Sequence, residues 1–402
     1  MQRTLSALEV SEQLGVGLPT VYAYVSRGLI HSARGGADKR ARRYAFSDVK
    51  RLLERRTMRA DLGRLPESAL SWGLPVLESR ISLIEDGVLS YRGHSLTDLA
   101  RQWPFEAVAQ LLWTGKLSLP KPALQHTPAV MAGSPKLAPI QRMACALISG
   151  EQRVDTPLGI LRLMLGALVP DAPARKPIAA VLQAAYAPHL PALQAVFDVL
   201  LIACADHELN TSSFTARCVA STHASDRAAV LAGMCALGGP LHGGNAEQAR
   251  AMLSKIRQPH HASKFIVAQR SGKRGLHGFG HMLYPEGDPR ATLLLARLGE
   301  CFAGHPRWGV CQAMLSAAHA NGLEPPNIDF SIAALAFVLD AEPGAGLGWF
   351  ALGRAAGWIA HAHEQRAHGS LIRPRARYIG VRPRNSWAKR VVNHLGSARD
   401  FP

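Results

Sequence analysis

The sequence predicts a mostly helical protein of two or three domains. Its 402 residues correspond to that number at roughly 150 residues per domain. Ala and Leu dominate a composition that is 48% hydrophobic and only 6% aromatic, which favours helices. From Ile140 to about Arg366, apolar segments alternate with Gly and Pro breaks, and few stretches show the alternation of a β-strand. These observations predict a large helical body with a sizeable core.

The first 60 residues predict a small separate module. Ser6–Glu9 is a capping-box pattern that opens a short helix, and Gly15 follows at its end. Pro19 suits the first turn of a second helix, so two short helices across a Gly-containing turn form a helix-turn-helix pattern. The basic stretch His31–Arg43 then indicates a β-hairpin wing. Residues 61–75, which include Pro66, Gly73 and Pro75, indicate a linker.

The charge of the chain favours anionic partners. The net charge is +17 at pH 7, and residues 1–60 contribute +7 of it from 12 Lys/Arg and 5 Asp/Glu. Such a surface attracts either nucleic acid or a polyanionic substrate such as a phosphorylated thioester. It is equally consistent with a basic surface that only contacts solvent.

Residues 1–60 resemble the MerR and excisionase-type family of winged helix-turn-helix proteins. The resembling stretches are Leu14–Val16, Thr20–Tyr22, Arg27–Ile30, Arg43–Tyr44 and Asp48–Val49. The resemblance implies binding of duplex DNA, in which helix residues enter the major groove and cations of the wing hold phosphates. The residues expected in these roles are Thr20, Tyr22, Arg40, Arg42 and Arg43. The alternative is a protein-interaction module with a solvated basic hairpin.

Composition and spacing predict a cytoplasmic protein with no membrane span and no metal site. The best apolar run, Ala192–Ala205, is shorter than the roughly 18 residues of a membrane helix and contains Asp198. The start of the chain has no apolar signal-peptide core. Six scattered cysteines without C-x-x-C spacing suit a reducing compartment. His361–Glu364 does not match the H-E-x-x-H spacing of zinc enzymes.

Five short polar stretches stand out in the helical body. They are Asp206–Asn210, Gly238–Asn245, Gly278–His281 with Asp288–Arg290, Asn327–Phe330, and Leu352–Trp358 with Arg373–Arg375. Each has a structural interpretation on its own. The histidines can be hydrogen-bonded loop residues, Asp329 can cap the helix that follows it, and Arg354 can pair with a structural carboxylate.

Together these stretches supply the groups that an enzyme needs to form an enolate from a thioester. A helix that starts at Asn245 disfavours a charged His242, so a neutral imidazole can donate a hydrogen bond to an enolate oxygen. A carboxylate is a suitable base for a proton beside a thioester carbonyl. Arg354 lies among apolar residues and needs an anionic partner, which a substrate carboxylate would provide.

From about residue 76 to 382, the motifs resemble those of the citrate synthase family in their residues and in their order along the chain. The resembling stretches are Asp86–His94, Asp206–Asn210 with Ala220–Thr222, Gly239–Gly244, Gly278–His281, Asp288–Ala291, Asn327–Phe330, Gly357–His361 and Ile372–Arg375. The resemblance implies an all-α fold and a homodimer, with the active site in a cleft between two domains. The large domain would comprise residues 76–250 and 347–402, and the small domain residues 251–346.

The resemblance implies condensation of an acyl-CoA, usually acetyl-CoA, with oxaloacetate, without a metal or a tightly bound cofactor. Carried over by motif, Asp329 removes the methyl proton, His242 stabilises the enolate and His281 polarises the ketone. The residues expected to hold the 2-oxo acid are His207, Arg290 and Arg354, while Arg373 would contribute to the neighbouring subunit's site.

The stretch Met282–Gly287 departs from the family, which usually has a basic residue and Val after the Gly-Phe-Gly-His motif. It follows His281 directly, so the acyl selectivity stays open. One alternative is 2-methylcitrate synthase, which uses propionyl-CoA. Another is a DNA-binding regulator whose citrate synthase-like body serves as a ligand sensor or dimerisation scaffold.

Overall fold

The computed structural model describes most of the chain in two compact units. The described residues are 4–26, 29–34, 42–45, 48–49, 77–120, 136–150, 155–270, 276–374 and 378–381. One unit comprises Met1–Val76 with Pro374–Pro402, and the other comprises Leu77–Arg373. The predicted linker 61–75 and Arg40 lie outside the described residues. The division of the helical body into a large and a small domain stays a prediction.

The described part of the first unit contains two helices and a three-stranded antiparallel sheet, as the sequence predicts for a winged helix-turn-helix. Helix α1 (Ala7–Leu14) begins at the predicted capping box, in which Ser6 and Glu9 bond each other's backbone. Gly15 ends α1 in the left-handed conformation, and α2 (Leu18–Ser26) follows. Strands β1 (Thr4–Leu5), β2 (Ser32–Arg34) and β3 (Arg42–Ala45) pair in the order β1-β3-β2.

The second unit is almost entirely helical within the described residues, which confirms the predicted fold class. It begins with a short antiparallel sheet of β4 (Ser82–Glu85), β5 (Val88–Tyr91) and β6 (His94–Ser95). The helices that follow are α3 (Leu96–Gln102), α4 (Phe105–Thr114), α5 (Pro139–Ser149), α6 (Pro157–Leu168), α7 (Ile178–Tyr186), α8 (Leu193–Cys204), α9 (Thr211–Ala220), α10 (Asp226–Leu237), α11 (Gly244–Leu253), α12 (His261–Arg270), α13 (Pro289–Cys301), α14 (Pro306–Ala320), α15 (Ile328–Val338) and α16 (Ala345–His368).

Helix α16 is the centre of this unit. It is 24 residues long, and nearly all of its first 18 residues are buried, including Trp349 and Trp358. It packs against α4, α8, α9 and α10. A helix that is apolar on all sides is stable only when neighbours cover every face. Polar side chains on α16 are therefore held in fixed positions inside the protein.

Two glycines let α16 approach the end of α8 closely. A Cβ atom at Gly353 would lie 2.8 Å from the Leu201 carbonyl oxygen, and one at Gly357 would lie 2.6 Å from Asp206 Oδ1. Both distances are shorter than any ordinary carbon–oxygen contact, so only glycine fits here. Arg354 lies between the two glycines on the same helix. This contact places Arg354 beside the chain segment that follows α8.

We expect Gly357→Ala to lower the free energy of unfolding by about 1–3 kcal/mol, because the added methyl group overpacks the contact between the helices. Gly299→Ala in α13 is the matched control, since its Cβ would meet Trp308 at an ordinary 3.6 Å. The control should be neutral or more stable, because Ala exceeds Gly in helix propensity by about 1 kcal/mol. Urea denaturation measures both variants, and equal midpoints would contradict the close-contact interpretation.

Candidate active site

Asp206–Asn210 forms the break between α8 and α9. The sequence predicts a helical region here, but α8 ends at Cys204 and α9 begins at Thr211. Asn210 ends the break because its side chain accepts hydrogen bonds from the backbone N–H groups of Ser212 and Ser213, both at 3.1 Å. The interrupted helix brings the His207 side chain into the interior, where it is buried.

Buried hydrogen bonds of Asp206 hold this break in place. Its Oδ1 lies 3.1 Å from His361 Nε2, and the Ser82 hydroxyl donates to its other oxygen. The Tyr91 hydroxyl donates to the Asp206 carbonyl oxygen at 3.0 Å. His361 therefore pairs with a carboxylate, and the described residues contain no cluster of metal-ligating side chains. Neither Asp206 nor Tyr91 is among the residues that the sequence predicts for the site.

The imidazole rings of His207 and His281 pack edge to face, and both contact the ring of Tyr284. The two imidazole centroids are 5.2 Å apart, and His207 Nε2 is 2.9 Å from the Tyr284 hydroxyl. His281 Nδ1 accepts a hydrogen bond from the Leu283 backbone N–H at 3.2 Å. Because Nδ1 accepts, the proton of neutral His281 is on Nε2, which can donate to a substrate oxygen. In the stretch that departs from the family, Tyr284 is buried whereas Met282 is exposed.

His242 precedes α11 and is held in a neutral state. Burial, reinforced by the cations Arg354 and Arg290, lowers the pKa of His242 to about 4. The sequence predicts that the helix N-terminus keeps His242 neutral, whereas burial is the larger cause in the structure. His242 Nε2 lies 2.9 Å from the Ser212 hydroxyl. The Ser212 hydroxyl donates its proton to Asn210 Oδ1 at 2.7 Å, and His242 Nδ1 has no hydrogen-bond partner among the described residues.

Asp329 lies in the first turn of α15 but does not cap it. Asn327 is the cap, since its Oδ1 accepts a hydrogen bond from the Asp329 backbone N–H at 3.0 Å. Asp329 Oδ2 instead accepts from Asn245 Nδ2 at 2.9 Å. Asn245 was predicted to start its helix, but α11 begins at Gly244 and Asn245 lies inside its first turn. Burial raises the pKa of Asp329 to about 6, which suits a base near neutral pH.

The predicted arginines supply buried positive charge. Arg290 is paired with Asp288 through two hydrogen bonds of 2.9 and 2.8 Å. Arg354 donates from Nε to the Cys204 carbonyl oxygen at 2.6 Å and has no carboxylate partner among the described residues. Burial and both guanidinium charges hold the pKa of His207 well below its usual range. An anionic ligand would complete this arrangement, because a buried unpaired cation is costly.

The structure thus brings together six of the seven predicted residues of the enzyme site: His207, His242, His281, Arg290, Asp329 and Arg354. Arg373 is exposed in the irregular segment after α16, without a hydrogen bond or ion pair to the described residues. The site also includes three residues that the sequence does not predict for it: Tyr284, Ser212 and His277. Their only sequence signal was proximity to assigned motifs.

Comparisons with known proteins agree with this geometry. The sequence profile described as citrate synthase, C-terminal domain, matches residues 69–174 and 170–375, and a profile described as helix-turn-helix domain matches residues 4–57. Citrate synthase 2 of Bacillus subtilis is 29% identical over 361 residues, which cover 77% of this chain and 94% of that protein. The 2-methylcitrate synthase of Mycobacterium tuberculosis is also 29% identical, covering 73% and 84%.

A solved structure supports the same relationship. The citrate synthase of Thermotoga maritima superposes with a TM-score of 0.66 at 25% identity, covering 77% of this chain and 94% of that one. The profile match spans more than half of the chain and includes every motif that builds the buried site. The chain therefore belongs to the citrate synthase family and carries a helix-turn-helix domain at its N-terminal end.

Proposed function

We propose that this acyltransferase condenses acetyl-CoA with oxaloacetate to give citrate and CoA, with the acyl-CoA as its co-substrate and no tightly bound cofactor. The observation that carries the proposal is the combination of a carboxylate base with neutral imidazoles. Burial raises the pKa of Asp329 to about 6 and lowers that of His242 to about 4. Near neutral pH, Asp329 is ionised and His242 is uncharged.

The reaction starts with enolate formation. Asp329 takes a proton from the methyl group of the thioester, and the neutral imidazole of His242 donates a hydrogen bond to the carbonyl oxygen as negative charge develops there. The Ser212 hydroxyl, 2.9 Å from His242 Nε2, holds the imidazole in position. A neutral donor stabilises the enolate without protonating it.

Carbon–carbon bond formation follows at the ketone of oxaloacetate. His281 Nε2–H polarises the ketone and then protonates the new alkoxide. The groups that hold the two carboxylates are His207, Arg290 and Arg354, with Arg373 contributed by the second copy of a homodimer. Water then hydrolyses the thioester and releases CoA.

A cytoplasmic location fits a chain whose described helices include no candidate for crossing a membrane.

A second acyl substrate has specific support. One relative is a 2-methylcitrate synthase, and Met282 stands exposed directly after His281. One extra methylene changes discrimination by only about 1–3 kcal/mol, which small differences in pocket shape decide. The test of the proposal is release of CoA thiol from acetyl-CoA or propionyl-CoA in the presence of oxaloacetate. The absence of release with either acyl-CoA would contradict it.

Asp329→Asn should lower kcat by about 10²- to 10⁴-fold, the typical contribution of a general base, with little change in oxaloacetate affinity. The shape of the side chain is retained while its basicity is lost. Thiol release measures kcat, and calorimetric titration with oxaloacetate measures binding. Near wild-type turnover by the purified variant would show that Asp329 is not the base.

The pH dependence of kcat/KM should show one acidic limb with an apparent pKa near 6, since Asp329 of the free enzyme must be ionised to accept the proton. Below that pH the protonated fraction of Asp329 rises and kcat/KM falls about tenfold per pH unit. The pKa values of His242 and His281, both lowered to about 4, place their titration outside this limb. Constant kcat/KM down to about pH 5 would contradict this assignment.

The N-terminal domain supports a second function, which is binding of duplex DNA. Thr20 and Tyr22 are exposed on α2, the second helix of the helix-turn-helix, and Arg43 is exposed on strand β3. Exposed polar side chains on such a helix suit base contacts, and cations on a wing suit phosphates. Under this proposal, one protein is both a citrate synthase-type enzyme and a DNA-binding protein. The alternative, a DNA-binding regulator without enzymatic activity, is less favoured because such a regulator would not need an intact set of catalytic groups.

Replacing Arg40, Arg42 and Arg43 together by Ala should weaken binding to all duplex sequences and reduce its salt dependence, because phosphate contacts are lost. Changes at Thr20 or Tyr22 should alter sequence preference instead. Fluorescence titration at two salt concentrations measures both effects in the full-length chain. The matched control is Arg297→Ala, which removes an exposed cation from α13. An equal loss in the control would assign the binding to the basic body.

A further inference from the structure

A chain of two hydrogen bonds leads to the carboxylate of Asp329. His277 Nδ1 lies 2.9 Å from Asn245 Oδ1, and Asn245 Nδ2 lies 2.9 Å from Asp329 Oδ2. Asn245 is in the first turn of α11, His277 precedes the loop Gly278–His281, and Asp329 is in the first turn of α15. The chain thus links three segments that are distant in sequence.

The direction of each hydrogen bond follows from the chemistry of the groups. An ionised carboxylate only accepts, so Asn245 must present its NH₂ group to Asp329. The amide oxygen then faces His277, and His277 must donate through Nδ1–H. Removing the His277 donor would free the Asn245 amide to rotate. The other carboxylate oxygen, Asp329 Oδ1, has no hydrogen bond among the described residues.

The loop that carries His277 is fastened to the helix that carries Asp329. Asn327 donates from its backbone N–H to the Gly278 carbonyl oxygen at 2.9 Å and from Nδ2 to the Gly280 carbonyl oxygen at 2.8 Å. A Cβ atom at Gly278, where φ is +83°, would lie 2.8 Å from the Phe330 Cβ atom. The two segments are therefore in direct contact, and His277 has a fixed position relative to the base.

We propose that Asn245 and His277 are positioning residues for the base: Asn245 holds Oδ2 so that Oδ1 faces the substrate, and His277 fixes the Asn245 amide. This inference rests on the proposed condensation. The charged groups that act on Asp329 besides this chain are Arg290 and Arg354, which favour its ionised form, and Asp288, which opposes it. The hydrogen bond from Asn245 also favours ionisation, against the effect of burial.

The test is the pH profile of kcat/KM in the full-length chain, with acetyl-CoA and oxaloacetate as substrates. Asn245→Ala should move the acidic limb to higher pH by about one unit, because a hydrogen bond to a charged group is lost. It should lower kcat about tenfold or more, while the KM for oxaloacetate changes less than about twofold. His277→Phe should move the limb in the same direction, and His277→Asn, which keeps an N–H donor, should restore it in part.

Two further variants separate this role from a general effect on folding. Asn245→Asp has nearly the same shape and places a second carboxyl group against Asp329, so the limb should again move to higher pH. Gln183→Ala is the matched control, because that amide donates at 2.8 Å to the Ala187 carbonyl oxygen at the end of α7. It should leave the limb unchanged. An unmoved limb in the Asn245 and His277 variants, with an active wild-type enzyme, would overturn the positioning role alone.

If the wild-type protein releases no thiol, the proposed condensation reaction is wrong. The role of the two hydrogen bonds is then tested by a measurement that does not need turnover. A ¹³C NMR titration of labelled aspartate carboxyl groups, with the Asp329 signal assigned by its loss in Asp329→Asn, reads the pKa of Asp329 directly. The signal should titrate at higher pH in Asn245→Ala than in the wild-type chain. An identical pKa in both would overturn the inference.

Discussion

The close approach of α16 to the end of α8 is the constraint on which the rest of the site depends. Gly353 and Gly357 remove the two Cβ atoms that would collide with the Leu201 carbonyl oxygen and with Asp206. The approach lets Arg354 donate to the Cys204 carbonyl oxygen from inside a buried helix. Because α8 ends directly there, the break that follows it carries His207 next to that cation. A wider spacing would separate His207 from Arg354.

Burial then has opposite effects on the acid and base groups of the site. It disfavours the charged form of any side chain, so it raises the pKa of the Asp329 carboxyl group and lowers that of His242 and His281. The same burial thus makes the Asp329 carboxylate more basic than usual and keeps the imidazoles neutral, so that they can donate hydrogen bonds. Arg290 is balanced by Asp288, whereas Arg354 keeps an unpaired charge for an anionic ligand.

The local structure of the N-terminal domain was predictable because its signals involve residues within four positions of one another. The capping box Ser6–Glu9 and the left-handed Gly15 are present as predicted. Their bonds form wherever such residues adjoin a helix end. The helical class of the body and its site motifs were predictable too, the first from composition and the second from resemblance to a family.

By itself, the sequence determined the fold class, the two-part organisation and six of the polar residues that gather into one site. Only the tertiary structure decided the break Asp206–Asn210, the capping of α15 by Asn327 rather than Asp329, and the partners of Asn245. Asn245 and Asp329 are 84 positions apart, and Asp206 and His361 are 155 apart. No local pattern encodes such pairs, because they arise from the way whole helices pack against each other.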